Sequence, residues 1–372
     1  MNNSEKNQKE KLPAIAELSR RGYRYIKKNQ FSEARSCFRQ VLEIEKENHY
    51  ALVGMGDILR KEKRYRESIK YYQQCLSLHP DNHYALFGLA DCHRALGDRT
   101  SAIEMWTEYL KLDTDNTAVM NRMADAWRKK NNYSESKKYY RKVLELEPDN
   151  AYALIGLGHL LFDFKEYEAS LEIWKKIEQS QKEDVDIKVL TSLGNCCRKL
   201  KLFSEGTGYF ARALEKQNDN FYALFGMADC YRGLGSPERS LEYWNRILEA
   251  DPHNKVIQTR AGDAYRNTGN LDAAERCYQS ALKIGFDIYA ETGMALIEKS
   301  RGMHEEALKR LKPLMEHSPR NHIVALEAAG CAALLGRSSE AVDILKNYLS
   351  KGNTSDAVLR MLQELEEQTE QS

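Results

Sequence analysis

Residues 81–97 of the chain read DNHYALFGLADCHRALG, and a nearly identical stretch, DNFYALFGMADCYRGLG, follows at residues 219–235. The two stretches agree at thirteen of seventeen positions. Within each stretch, apolar residues recur three or four positions apart, which is the spacing of one face of an α-helix. The comparison therefore predicts an amphipathic helix that the chain uses more than once.

The helical pattern returns about every 34 residues along most of the chain. A small residue occupies one equivalent position in ten successive units: Ala34, Ser68, Ala102, Ser136, Ser170, Gly206, Ser240, Ala274, Ala307 and Ala341. The spacing departs from 34 near Glu183–Asp186, where two residues are added, and near Gly285–Asp287, where one is missing. A period of this length predicts a repeat protein.

Each unit contains two amphipathic segments separated by a short turn, which often carries Gly or Asn, as at Gly97 and Asn131. A single helix pair cannot bury its apolar face, so each unit must pack on its neighbours and the ends must be capped. Residues 356–368 fit a capping helix. Four apolar residues are expected on its inner side: Val358, Leu359, Leu362 and Leu365.

This pattern resembles the tetratricopeptide repeat (TPR) family over about residues 14–355. The fourth unit carries the small, large, small, aromatic and Pro positions of the family at Ala124, Trp127, Ser136, Tyr140 and Pro148. The resemblance implies an all-α fold, a right-handed TPR superhelix (α-solenoid) of about ten helix-turn-helix repeats plus a C-terminal capping helix. It also implies that the first helix of each repeat lines a concave groove.

The repeat frame divides the chain into four segments. We expect a polar N-terminal tail at residues 1–13, repeats 1–5 at residues 14–184, repeats 6–10 at residues 185–355 as a continuous solenoid, and a capping helix and tail at residues 356–372. Two local features are also predicted. Ser236 should cap the helix that begins at Pro237, and Pro313 should kink or shorten the second helix of repeat 9.

A polar motif recurs in the first helices: Asp, or once Asn, followed three residues later by Arg. It occurs six times, as Asp57/Arg60, Asp91/Arg94, Asp125/Arg128, Asn195/Arg198, Asp229/Arg232 and Asp263/Arg266. Residues three apart share a helix face, and in the family this face is the concave one. We name these twelve residues the Asp–Arg ladder. Repeats 1, 5 and 9 break the motif, so that repeats 2–4 and 6–8 form two similar segments.

Two interpretations of the Asp–Arg ladder remain open. The pairs could be staples within and between repeats, although one exposed pair at this spacing contributes only about 0.2–0.5 kcal/mol. Alternatively, the Arg donors and Asp acceptors could bind a peptide, with aromatic side chains as anchors. The additional candidate groove residues are Tyr50, Tyr84, Phe87, Arg122, Tyr222, Phe225 and Arg260.

Glycines occur one turn before the ladder, at Gly54, Gly88, Gly156 and Gly226. Glycine is unfavourable inside a helix, so either the backbone of a ligand or a packed neighbouring helix must approach closely there. The clamp by which chaperone adaptors of the family hold a terminal carboxylate needs Lys and Asn. Val53 and Asp57 occupy those places in repeat 2, so we do not expect this clamp here.

Composition and charge indicate a globular protein. The chain has 372 residues, of which 42% are hydrophobic and 30% charged. Lys and Arg number 56 and Asp and Glu number 55, so that the net charge is +1. Binding to a phosphate backbone normally requires a basic excess, and we therefore do not expect nucleic acid as a partner.

Neither a secretory signal nor a transmembrane segment is expected. Residues 1–12 are polar and lack the apolar region of a signal peptide. The longest apolar stretch, about residues 328–335, is much shorter than the ~18 residues that would cross a bilayer. Eight cysteines without an export signal favour reduced thiols. We predict a cytoplasmic protein.

The sequence carries no signature of catalysis. It contains no GxxxxGK[ST], HExxH or GxSxG motif, and no pair of histidines has metal-ligand spacing. The cysteines and the four tryptophans fall at packing positions of the repeat. We therefore predict a non-catalytic scaffold, without cofactor or metal, that binds a protein or peptide in its groove. The alternative prediction is a scaffold that forms homo-oligomers through its groove or its ends.

Overall fold

The computed structural model describes residues 3–181 and 184–370, with side chains for 12–181 and 184–368, and divides the chain into two compact units, Met1–Ser180 and Gln181–Ser372. All regular structure in the described ranges is helical. The first unit contains α1 Asn3–Lys27, α2 Phe31–Ile44, α3 His49–Lys61, α4 Tyr65–Leu78, α5 His83–Ala95, α6 Arg99–Leu112, α7 Thr117–Lys129, α8 Tyr133–Leu146, α9 Ala151–Asp163 and α10 Tyr167–Gln181.

The second unit has the same organisation with one further helix. It contains α11 Ile187–Lys199, α12 Phe203–Lys216, α13 Phe221–Gly233, α14 Pro237–Ala250, α15 Lys255–Asn267, α16 Leu271–Ile284, α17 Ile288–Ser300, α18 His304–His317, α19 His322–Leu334, α20 Ser338–Ser350 and α21 Asp356–Glu370.

Within each unit, consecutive helices pack in sequence order, so odd-numbered helices are the first and even-numbered helices the second of each repeat. The predicted all-α class, the ten helix-turn-helix pairs and the helix that follows them are confirmed. The domain boundaries and the continuity of the solenoid across residues 184 and 185 stay predictions. Residues 1–2, 371–372 and 182–183, which include part of the predicted insertion, lie outside the described residues. No helix in the described ranges is long and apolar enough to cross a membrane.

The start of most first helices is set by an Asn side chain that precedes the helix. Its Oδ1 accepts a hydrogen bond from the backbone N–H three residues later, at 3.1 Å in Asn48 and 3.0 Å in Asn82. Such a cap satisfies one of the unpaired N–H groups at a helix start. Ser236 does not do the same for α14, so the predicted hydroxyl cap is wrong, while Pro237 does begin the helix as expected.

The turn between the two helices of a repeat needs one residue with positive φ. Glycine meets this need at Gly97, where φ is +84°. Non-glycine residues adopt the same conformation in five other turns: Asn29, Lys63, Asn131, Lys165 and Lys201. The sequence indicated the Gly and Asn turns, whereas the three Lys positions carried no comparable signal.

The core of each of repeats 1–8 is built around one large ring on the second helix, and Leu311 and Leu345 take its place in repeats 9 and 10. Trp106, Trp174 and Trp244 are buried, as predicted, while Trp127 is only partly buried. Near this ring, Ser68 of the second helix donates a hydrogen bond of 2.7 Å to the carbonyl oxygen of Gly56. The same bond recurs at Ser136, Ser170 and Ser240. The small residue of the repeat frame therefore joins the two helices of a pair.

Two predictions for the C-terminal half require correction. Helix α18 runs through Pro313 and has 14 residues, as many as most second helices, so Pro313 does not shorten it, and the alternative, a kink at Pro313, stays a prediction. In α21, Val358 and Leu365 are buried as expected, whereas Leu359 is exposed. A helix face holds residues three or four apart, and Leu359 directly follows the buried Val358.

Candidate functional site

The Asp–Arg ladder lies on the first helices α3, α5 and α7 in the first unit and α11, α13 and α15 in the second. Within one helix, Asp57 and Arg60 approach to 3.1 Å, and Asp125 and Arg128 to 3.2 Å. These pairs have the i,i+3 spacing that the sequence indicated. The ladder residues also bridge adjacent first helices, which is the between-repeat staple that the sequence left open as one interpretation.

Asp91 is the centre of the ladder in the first unit. Its side chain is only 7% exposed, and three guanidinium groups surround it. Arg60 of the preceding repeat lies 3.3 Å from the carboxylate, Arg94 of the same helix 3.4 Å, and Arg122 of the following repeat 2.9 Å. A buried carboxylate needs such partners, so Asp91 has a structural role across three repeats.

A tyrosine connects the ladder to the core. Tyr72 is buried on α4, and its hydroxyl donates a 2.7 Å hydrogen bond to Asp57 while accepting one of 3.2 Å from Arg60 Nε. Burial is the main cause that raises the pKa of Tyr72 far above its ordinary value, so the hydroxyl stays protonated and can donate. Tyr278 donates in the same way to Asp263, at 2.8 Å. These two tyrosines were not among the candidate residues from the sequence.

The ladder of the first unit extends one repeat further than the motif does. Arg128 Nη1 lies 2.8 Å from Asp163, which ends helix α9 in repeat 5. Sequence analysis counted repeat 5 as a break, because His159 and Phe162 occupy the motif positions. The signal that was missed is the carboxylate one residue after the Arg position, which a long Arg side chain can still reach.

Asp125 is held by two cations. Arg128 and Lys129 lie 3.2 Å and 2.9 Å from its oxygens. Burial alone would raise the pKa of Asp125, but the hydrogen bonds and charges of these cations are stronger and lower it below its ordinary value. Asp125 is therefore a stable anion at neutral pH.

The second unit repeats this arrangement with fewer carboxylates. Arg198 lies 2.7 Å from Asp229 of the next repeat, and Arg232 lies 2.7 Å from the same carboxylate. Within its own helix, Arg198 donates to the amide oxygen of Asn195, at 3.2 Å. Asn195 thus takes the place of a carboxylate, but it contributes no charge.

Asp263 differs from its counterpart Asp125. Burial is the main cause that raises its pKa above the ordinary value, and the Tyr278 hydrogen bond and the nearby arginines only partly offset this. The arginines that act on it are Arg266, Arg260 and Arg232. The two carboxylates occupy equivalent positions in the repeat, yet their pKa values are shifted in opposite directions.

The aromatic candidates fall into two groups. Tyr84 and Tyr222 are 77% and 68% exposed, and Tyr50 is exposed as well. Phe87 and Phe225 are partly buried, and each lies under a guanidinium group. These guanidinium groups belong to Arg122, 4.8 Å from the Phe87 ring, and Arg198, 5.9 Å from the Phe225 ring. The tyrosines can contact a ligand, whereas the phenylalanines support the ladder.

The glycines one turn before the ladder face the core. A Cβ atom on Gly88 would lie 2.3 Å from the Tyr72 ring, and one on Gly226 would lie 2.2 Å from the Phe210 ring. Gly54 and Gly156 face rings in the same way. Close packing of second-helix aromatics therefore accounts for these glycines, and of the two explanations left open by the sequence, approach of a ligand backbone is not needed.

Three pockets open on the first helices of the first unit. One of about 760 Å³ is lined by Tyr50, Asp57 and Tyr84, and a second of about 560 Å³ shares Asp57 and Tyr84 with it. A third of about 550 Å³ is lined by ladder and flanking residues: Arg94, Arg122, Asp125, Arg128 and Tyr152. The predicted site residues of this unit thus border concave surface, while Asp91 lies beneath it.

Comparison with family models matches tetratricopeptide repeats at residues 19–74, 49–115, 117–150, 202–255 and 257–284. These matches together cover more than half of the chain. Both units contain matched repeats.

Known proteins with similar sequences include tetratricopeptide repeat protein 21B. The human protein is 29% identical over 121 residues, 32% of this chain, and the Xenopus laevis protein is 25% identical over 145 residues, 37% of this chain. The chain spans about a tenth of the length of these relatives, since the matches cover 9% and 11% of them.

Solved structures of similar fold include two TPR proteins. One is a tetratricopeptide repeat protein from Parabacteroides merdae, with 15% identity and a TM-score of 0.39, covering 74% of this chain and 94% of that one. Another is YrrB, described as a TPR protein with an unusual peptide-binding site, with 21% identity and a TM-score of 0.44, covering 50% of this chain and 96% of that one. From its matched repeats and its consecutive helix pairs, the chain belongs to the tetratricopeptide repeat family.

Proposed function

We propose that this chain is a non-catalytic scaffold that binds segments of partner proteins on the exposed side of its first helices. TPR repeats support a general role in protein interaction. The observation that carries the finer proposal is a row of exposed tyrosines at one position of the repeat. Tyr84, Tyr152 and Tyr222 are 77%, 80% and 68% exposed, and each is the second residue of its first helix.

Exposed tyrosines suit protein recognition because each ring offers a large apolar surface and one hydroxyl group. One of them, Tyr152, lines the same pocket as Arg94 and Arg122, so guanidinium groups border the same surface. Arg94 and Arg232 are 44% and 49% exposed, although each also contacts the carboxylate in its own helix. The ladder can therefore hold the repeats together through its carboxylates and present cations to a ligand at the same time.

Substitution of the tyrosines tests this proposal. The variant Tyr84→Ala/Tyr152→Ala/Tyr222→Ala should lose the partners that the wild-type chain retains from an extract of the cells that express it. Its melting temperature should change little, because these rings are exposed. A matched control replaces three exposed apolar residues that end second helices: Leu112, Leu146 and Ile284. The proposal fails if the tyrosine variant and the control retain the same proteins equally well.

Self-assembly is the second candidate function. It is motivated by the 760 Å³ pocket, which is lined partly by Leu12 and Ile15 of α1, near the N-terminal segment that another copy could donate. Light scattering on the full chain and on a chain lacking residues 1–12 measures this directly. A mass that falls from an oligomer to a monomer on truncation would support assembly, and a monomer in both cases would exclude it.

A further inference from the structure

The first helices of repeats 6–8 carry far more cations than anions. Helices α11, α13 and α15 contain seven Lys and Arg residues: Lys188, Arg198, Lys199, Arg232, Lys255, Arg260 and Arg266. They contain two carboxylates, Asp229 and Asp263. The second helices of the same repeats, α12, α14 and α16, contain six cations and seven carboxylates. Since the whole chain has a net charge of +1, positive charge is concentrated on the first helices of repeats 6–8.

The two carboxylates do not neutralise this excess. Asp229 is shared between Arg198 and Arg232, at 2.7 Å each. In the described part of the chain, Arg260 and Arg266 form no ion pair with a carboxylate, and Asp263 accepts its hydrogen bond from Tyr278. Arg232, Arg260 and Arg266 all lie close enough to Asp263 to lower its pKa, but burial outweighs them and raises it. Of the three guanidinium groups near Asp263, only that of Arg232 forms an ion pair in the described part of the chain, and its partner is Asp229.

The repeat-equivalent part of the first unit is better neutralised. Arg122, the counterpart of Arg260, lies 2.9 Å from Asp91, and Arg128, the counterpart of Arg266, pairs with both Asp125 and Asp163. The cations of repeats 6–8 thus have more donors available than those of repeats 2–4.

We infer that the first helices of repeats 6–8 bind an acidic segment of a partner protein, and that Arg232 and Arg260 contact its Asp or Glu side chains. This inference rests on the proposed function and adds the chemistry of the ligand. Guanidinium groups form strong, oriented hydrogen bonds with carboxylates. Tyr222 and Val256 are exposed on the same helices and offer apolar contacts to such a segment.

An acidic peptide fits this surface better than a nucleic acid does. A phosphate backbone places a negative charge at every nucleotide and therefore needs an unbroken row of unpaired cations, whereas Arg198 and Arg232 are already paired with Asp229. A peptide can place a neutral residue at that point. The inferred ligand also differs from a C-terminal carboxylate, because it uses internal side chains and can have both ends blocked.

The experiment measures binding of a C-amidated (Glu-Gly)5 peptide, labelled with fluorescein at its N-terminus, by fluorescence anisotropy at low salt. The full chain is compared with Arg232→Gln/Arg260→Gln and with the charge-matched control Arg239→Gln/Arg276→Gln, which replaces two exposed cations of the second helices α14 and α16. We expect the first variant to weaken binding at least about tenfold, as loss of two charge-assisted contacts implies. The control should weaken it less than about threefold, and a (Gln-Gly)5 peptide should not bind. Circular dichroism melting of each variant verifies that it is folded.

Three results would overturn the inference. The (Glu-Gly)5 peptide could fail to bind the wild-type chain, or both double variants could weaken its binding equally. A ten-residue oligothymidylate could also bind more tightly than the peptide and depend on Arg232 and Arg260, which would assign the surface to phosphates. If the tyrosine variant loses its partners while the Glu peptide does not bind, the proposed function stands and only this inference fails.

Discussion

Repeats 2 and 6 begin the Asp–Arg ladders of the two units, and they do so with different chemistry. In repeat 2, the Tyr72 hydroxyl donates to the Asp57 carboxylate at 2.7 Å. In repeat 6, the equivalent residues are Phe210, which has no hydroxyl, and Asn195, which has no charge. Between these two repeats, the carboxylate and the hydroxyl are present together or absent together, whereas repeats 3 and 7 combine Asp91 and Asp229 with Trp106 and Trp244 at the ring position. The comparison teaches that the ladder and the core beneath it are coupled through this pair.

The same comparison separates what the two units share from what distinguishes them. The contact between a first-helix glycine and a second-helix ring is nearly the same in both, at Gly88 with Tyr72 and at Gly226 with Phe210. The charges above this contact differ, because Asp91 is surrounded by three guanidinium groups and Asp229 by two. The packing of a glycine against a ring is therefore common to both units, whereas the number of guanidinium groups around the buried carboxylate differs between them.

The largest effect is expected from filling the space of the shared glycines. Gly88→Ala and Gly226→Ala should each destabilise the chain by about 1–3 kcal/mol, because the new methyl group overlaps a buried ring. Urea denaturation followed by circular dichroism measures the loss. The control is Gly208→Ala on α12, where a Cβ atom meets nothing within 4 Å, and where the better helix former should add about 0.5–1 kcal/mol. Similar stability changes at all three positions would contradict the packing assignment.

A smaller effect should follow from removing the hydroxyl that repeat 2 possesses and repeat 6 lacks. Tyr72→Phe keeps the ring but leaves the Asp57 carboxylate and Arg60 Nε without this partner, and should cost about 1–2 kcal/mol. Urea denaturation again provides the measurement. Tyr84→Phe is the matched control, because its ring is exposed and the substitution should leave stability unchanged. If Tyr72→Phe is as stable as the wild type, the coupling between ladder and core is absent.

The smallest expected effect is a difference between Asp125 and Asp263 in how their substitution changes stability with pH. The pKa of Asp263 is raised by burial, so ionisation of this side chain destabilises the folded state. This destabilisation is present at neutral pH and is relieved as the pH falls through the raised pKa. Asp263→Asn removes this destabilisation at every pH. The variant should therefore be most stable relative to the wild type at pH 7, and should lose this advantage as the pH falls to about 4.

Asp125 should behave in the opposite way. Burial would raise its pKa, but Lys129 and Arg128 lower it below the ordinary value. The contribution of the Asp125 carboxylate to folding stability is therefore present above the ordinary pKa of about 3.9 and is lost as the pH falls through the lowered pKa. The cost of Asp125→Asn should stay constant between pH 7 and about pH 4. Thermal melting across this range tests both variants, and the same pH trend in the two would contradict the assignments.

The repeat architecture could be predicted from the sequence because it depends on local patterns. The period of 34, the helix pairs and the Asn residues before first helices all follow from residues close in the chain. The glycine before the ladder was ambiguous, because a helix face that carries glycine admits either a ligand or a neighbouring ring. The ring that resolves it at Gly88 lies on the preceding repeat.

The ladder could be predicted only in part, because its partners come from other repeats. The i,i+3 pairs such as Asp57 and Arg60 were evident from their spacing. The links from Arg60 to Asp91 and from Arg128 to Asp163 depend on how far a guanidinium group reaches across a helix packing interface. Sequence spacing does not encode this reach. The roles of Tyr72 and Tyr278 were missed for the same reason, since a buried Tyr is expected from packing alone.

The most direct test of the account is site-specific photo-cross-linking to the partners that the wild-type chain retains. The cross-linking residue p-benzoylphenylalanine would replace Tyr84 or Tyr222 on first helices, and Leu112 or Ile284 at the ends of second helices. The account predicts cross-links to a partner segment from the first two positions and none from the last two. Cross-links from Leu112 and Ile284, with none from Tyr84 and Tyr222, would contradict it.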